Sequence, residues 1–170
     1  MNCGGSCRIV DMSLPTENHF SAEHDVRMDP KGRVPVPAAF RRILAKDGNE
    51  FVTVSLGPDD KCLRGFSEEG YRAALARIDT LESENKELRA RVLRKFMSNL
   101  AVLPFDAQGR ILIPQKLRDK VGLSGDITYV GVVDYFEIWD SKRWVDAENE
   151  TDHWIQSDET RRNLTSGVQG

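Results

Sequence analysis

No stretch of this 170-residue chain approaches the ~18 consecutive apolar residues that a membrane-spanning helix requires. The N-terminal segment has no apolar core of the kind a secretory signal carries, so a cytoplasmic chain is expected. Cysteine is scarce: Cys3, Cys7 and Cys62 are an odd number, which argues against a disulfide framework. One arrangement invites a metal, namely Cys3 and Cys7 with His19 and His24. Its cysteine spacing is not that of the common zinc pairs, so residues 1–19 read as a flexible, glycine-containing leader with no metal. Catalytic signatures are missing too. There is no Walker A loop, GxGxxG, HExxH or GxSxG. The third histidine, His153, lies in an acidic tail, and none of the three has an obvious nucleophile to serve. The paired carboxylates Asp59-Asp60 and Glu68-Glu69 fall in turn and helix-start contexts where solvation is the default. We expect no enzyme and no cofactor.

Net positive charge is also missing, since the formal total is −3. Its distribution matters more than its sum. Arg27 to Lys46 holds six basic residues (Arg27, Lys31, Arg33, Arg41, Arg42, Lys46) against Asp29 alone. Arg94 to Lys120 holds six (Arg94, Lys95, Arg110, Lys116, Arg118, Lys120) against Asp106 and Asp119. The rest of the chain is strongly acidic, so the basic charge sits in two places.

Those two places carry one motif. Residues 29–37 read DPKGRVPVP and residues 106–114 read DAQGRILIP, 77 positions apart. In each copy period-2 apolar residues flank a glycine-containing turn: Val26, Met28, Val34 and Val36 in the first, Leu103, Phe105, Ile111 and Ile113 in the second. That pattern reads as a β-hairpin. Pro37 and Pro114 then suit the first turn of a helix. Phe40, Ile43 and Leu44, and in the second copy Leu117 and Val121, give each short helix an apolar face. Asp47-Gly48 and Gly122 are the stops. Strands follow at 51–56 and 62–66, and again at 127–133 and 135–139. The repeat covers 23–70 and 100–143, with a helical insert over 71–99 and a C-terminal helix and tail over 144–170. Tyr71, Ala74, Leu75, Ile78 and Leu81, then Leu88, Val92, Leu93 and Phe96, make the insert two helices or one bent helix.

The chemistry available at Asp-x-x-Gly-Arg is specific. Asp29 and Asp106 can accept the turn's backbone N–H groups or pair with the arginine. Arg33 and Arg110 can hold a phosphate bidentately, read guanine O6 and N7, or simply staple the turn; Lys31 and Gln108 add donors. Arg41 and Arg118 occupy equal positions on the short helices and could support the same surface.

The doubled turn, the Pro-led helices PVPAAFRR and LIPQKLRD, the ending GVVDYFEIWD and the helical insert together resemble the MraZ family, over roughly residues 20–145. The resemblance implies an α+β fold with a mainly β core, a double-split β-barrel built from two tandem SpoVT-AbrB-type halves. It implies a nucleoid-associated transcriptional regulator of the division and cell-wall gene cluster that contains its own gene. Its DNA contacts would come from Asp29, Lys31, Arg33 and Arg41, and from Asp106, Gln108, Arg110 and Arg118. It further implies a ring-shaped homo-oligomer, whose head-to-tail order favours direct repeats over palindromes on double-stranded DNA. An antitoxin-type AbrB-like regulator, or a ring scaffold for protein partners using Trp139, Trp144 and Trp154, is the alternative.

Overall fold

The computed structural model describes residues 19–57, 59–80 and 86–156. Cys3 and Cys7, Leu81 and the last part of the expected C-terminal tail lie outside them. The fold is α+β. Strands β1 (Glu23–Arg27) and β2 (Arg33–Pro35) lead to helix α1 (Ala38–Leu44), then β3 (Phe51–Leu56) and β4 (Leu63–Phe66). Helices α2 (Glu68–Thr80) and α3 (Lys86–Ser98) form the insert. The second half repeats the order as β5 (Ala101–Pro104), β6 (Arg110–Leu112), α4 (Gln115–Val121), β7 (Asp126–Val132) and β8 (Tyr135–Asp140), and α5 (Ser141–Gln156) closes the described chain. Among the described residues no helix is long and apolar enough to cross a membrane.

The local signals act where turn and cap chemistry puts them. Gly48 and Gly122 adopt left-handed angles (φ 72 and 67) at the ends of the short helical segments, where a side chain would be strained. Pro37 and Pro114 stand one residue earlier than their expected place. Their ψ angles of 138 and 139 make them N-caps, and the helices begin at Ala38 and Gln115. The insert is two helices. Ile78 is buried in α2, but Leu88 in α3 is 47 % exposed.

The two hairpins differ from expectation. Neither β1 with β2 nor β5 with β6 forms a ladder. Instead β1 pairs with β7 and β5 with β3, each antiparallel, so each half lends its first strand to the other. The second strands pair with each other, β2 with β6, and so do the fourth strands, β4 with β8. The result is a six-stranded sheet in the order β1-β7-β8-β4-β3-β5 and a two-stranded β2–β6 ribbon. The physical reason lies in the turn's donors. Asp29 and Asp106 take the N–H groups at the turn exit. Further along, the N–H groups of Val36 and Ile113 reach across to the carbonyls of Gly109 and Gly32 in the opposite half.

Order and register give the molecule an approximate twofold. The ribbon is centred on Val34 opposite Ile111, which are equivalent positions. Both are fully buried, as are Val52, Val54, Ile127, Tyr129 and Ile138 beneath them in the larger sheet. Phe40 of α1 packs edge-on against Phe20 at 5.3 Å and lies tilted on Phe136 at 5.1 Å. Burying one such aromatic contributes about 1.5–3 kcal/mol. Trp139 and Trp144 pack at 5.7 Å and seat the start of α5, while Trp154 near its far end is 72 % exposed.

Candidate nucleic-acid interface

Each Asp-x-x-Gly-Arg segment builds the same object. The Gly32 N–H donates to the Asp29 carbonyl at 2.9 Å and the Asp29 N–H to the Arg33 carbonyl at 2.9 Å. Gly109, Asp106 and Arg110 repeat both bonds at 2.9 Å. The glycines take φ 87 and 71, angles that L side chains resist.

The aspartate does both things open to it. Asp29 Oδ1 accepts the N–H groups of Lys31 and Arg33 at 2.9 Å each, and Oδ2 accepts Arg33 Nε at 2.6 Å. Asp106 Oδ1 accepts the N–H groups of Gln108 at 2.9 Å and Arg110 at 3.0 Å, and Oδ2 accepts Arg110 Nε at 2.8 Å. These bonds hold both carboxyls below the usual carboxylate range. The backbone N–H of the arginine is the largest cause in each turn, partial desolvation pushes the other way, and the guanidinium bond follows.

That pairing orients the arginines. With Nε engaged, the Nη groups of Arg33 and Arg110 have no hydrogen-bond partner among the described residues. Their side chains stay partly open, 37 % and 26 % exposed. In the ribbon register Arg33 faces Leu112 and Pro35 faces Arg110. Directly paired residues share a face, so all four point away from the buried Val34–Ile111 pair. Arg33 and Arg110 are therefore diagonal neighbours, with roughly 7–8 Å between diagonal positions of an antiparallel pair. Lys31 and Gln108 are exposed beside them at the turns. Leu112 is 55 % exposed between the arginines. Together with Pro35 it was missed as an interface candidate, although the alternation that buries 34 and 36, 111 and 113 already turns 35 and 112 outward.

Arg41 and Arg118 do something the sequence does not announce. Each lies over the glycine of the opposite half's turn. A Cβ added at Gly109 would come within 2.6 Å of Arg41 Cζ, and one at Gly32 within 2.7 Å of Arg118 Cζ. Arg41 Nε donates to the Val36 carbonyl at 3.2 Å and Arg118 Nε to the Ile113 carbonyl at 3.1 Å. Arg118 also donates to the Gln115 side-chain oxygen. So every turn is held twice by the other half, through its glycine carbonyl and through a guanidinium lid. The structure brings all eight candidates to the two turns, as six staple or tip residues in front and two braces behind. Among the described residues no group of His, Cys, Asp and Glu could hold a metal.

These features define a class of protein: a duplicated α+β chain whose halves exchange strands and present paired Asp–Arg turns on one ribbon. The chain belongs to the MraZ family. The family model described as "MraZ protein, putative antitoxin-like" matches residues 19–94 and 98–165, one match for each half. The family is of transcription-regulator type and not a family of enzymes.

Proposed function

We propose that this protein is a sequence-specific DNA-binding regulator that reads the major groove with the outward face of the β2–β6 ribbon. The observation that carries the reading is the diagonal pair Arg33 and Arg110, each pre-oriented by an Asp–Nε bond with its Nη edge forward. A two-stranded ribbon fits the major groove, which is about 12 Å wide. An arginine whose rotamer is already fixed loses less freedom when it engages guanine O6 and N7. Its charge is offset by its own aspartate, which suits base reading better than long-range attraction to phosphate. Lys31, which makes no ion pair among the described residues, supplies that attraction in the first turn. Gln108 supplies hydrogen bonds without charge in the second. Arg41 and Arg118 serve this site as braces.

The rest of the proposal extends what membership of the family suggests. In this reading the two sheets belong to a double-split barrel whose halves are 23–70 and 100–143, with 71–99 as insert. Chains join head-to-tail in a ring, bind direct repeats upstream of the division and cell-wall cluster including their own promoter, and reside on the nucleoid. Ring closure adds avidity to each contact.

The test is a comparison of Arg33→Ala with wild type across a panel of duplexes and salt concentrations. A base-reading arginine gives a loss of about 1–3 kcal/mol confined to the cognate base pair. A phosphate-holding one gives a uniform loss and a salt slope shallower by about one unit. Binding without salt dependence, or no DNA binding by wild type, returns the ring-scaffold reading.

A further inference from the structure

The two halves match in fold but not in charge on the flank away from the turns. A cleft of about 520 Å³ opens between the start of β1 and helix α1, lined by His19, Ser21, His24, Phe40, Arg42 and Lys46 among others. Four nitrogen-bearing side chains line it, and among the described residues no carboxylate does. His24 Nε2 is buried without a hydrogen-bond partner among the described residues, its ring standing at 89° to Phe40. A buried polar atom left unpaired beside a cleft of mixed polar and apolar lining is one that a ligand atom can satisfy. The adjoining cleft shares His19 and Lys46 and is walled by Glu69 and Asp134, but Asp134 is already bonded to Arg77 at 2.5 Å.

The shared fold does not demand this cluster. At the equivalent positions, 77 residues on, the second half has Ala101 for His24, Asp119 for Arg42 and Leu123 for Lys46. Nor does the cleft belong to the ribbon face. His24 precedes Asp29 by five residues along an extended strand, about 16 Å at ~3.3 Å per residue. Yet one helix joins the two places. α1 presents Arg42 to the cleft and Arg41 to Gly109 of the second turn.

We propose that the cleft binds a small phosphate-bearing ligand, and that occupancy adjusts the second turn through α1 and Arg41. The binding claim stands alone; the coupling claim rests on the DNA-binding reading above. The described histidines are a built-in readout, since His153 lies exposed on α5 far along the chain. In the full-length protein, imidazole C–H resonances are followed by NMR during titration with pyrophosphate at constant pH and ionic strength. His19 and His24 are expected to shift along one saturable curve while His153 stays still. Arg42→Asp, which copies the second half, should flatten that curve at an unchanged melting temperature; Lys116→Asp, an exposed cation elsewhere, should leave it intact. Parallel movement of His153, linear shifts without saturation, or a curve untouched by Arg42→Asp overturns the site. Anisotropy then reads coupling: pyrophosphate should change the DNA Kd at least ~3-fold in wild type and not in Arg42→Asp. Weaker DNA binding by ligand-free Arg42→Asp would assign the cation to the DNA backbone and overturn the effector role. Absence of DNA binding in every sample removes the coupling together with the DNA reading, while a saturable histidine curve upholds the site by itself.

Discussion

At the scale of single residues, the two turns are a lesson in what an aspartate does when it holds a backbone and a guanidinium at once. Because Asp29 and Asp106 are held below their unfolded pKa of about 3.9, their contribution to stability is full above that value. It is lost as pH falls through the lower folded pKa. Asp29→Asn cannot titrate. Its melting temperature should lie below that of wild type at pH 7, and the gap should narrow as pH drops from about 4 toward 2. A gap that stays constant over that range would show that the charge is idle. The glycines offer a second comparison. Gly48→Ala meets nothing within 4 Å but must adopt φ 72, a backbone cost of roughly 1–2 kcal/mol. Gly109→Ala bears the same kind of cost and also displaces the Arg41 guanidinium. Denaturant midpoints should therefore fall further for Gly109→Ala than for Gly48→Ala. Equal losses would mean that the lid contributes nothing. The Asp-x-x-Gly-Arg motif was readable because turn chemistry is local. The brace role of Arg41 and Arg118 was not, since on a helix wheel they look like any solvated cation.

At the scale of elements, the sequence was enough to find β3, β7 and β8 within a residue of their ends, and period-2 alternation to find the apolar positions of the two turn-flanking segments. It could not find partners. Val26 and Met28 alternate the same way whether β1 pairs with β2 or with β7, and only the whole molecule's geometry decides. The exchange has a consequence for folding. Among the described residues β1 has its ladder only with β7, and β5 only with β3, so neither half completes its own sheet. A fragment of residues 1–85 is expected to be unfolded as a monomer, or to associate with itself or with the complementary fragment 86–170. Analytical ultracentrifugation with circular dichroism checks this. A monomeric fragment that unfolds cooperatively would contradict the exchanged pairing.

At the scale of the whole molecule, duplication inside one chain frees the halves to differ. Where β4 meets β8 on the approximate axis, Arg64 and Glu137 face each other as directly paired residues. Their ion pair is 3.1 Å long, and Trp139 Nε1 donates to the same carboxylate at 2.9 Å. Arg64 also stands 4.5 Å over the Tyr135 ring. Two identical halves would have set like charges against each other there. The same freedom leaves a lysine at one turn tip and a glutamine at the other, and a basic cleft on one side only. What the two halves keep in common is the pair of arginines on one ribbon, Arg33 and Arg110, offered to DNA in the proposed reading. The most direct test of this central claim is fluorescence anisotropy with a labelled duplex from the promoter upstream of this protein's own gene. Wild type is compared with Arg33→Ala/Arg110→Ala after both are shown to fold and assemble alike. The account predicts tight, salt-sensitive binding by wild type that the double variant loses. Equal binding by the two would contradict it.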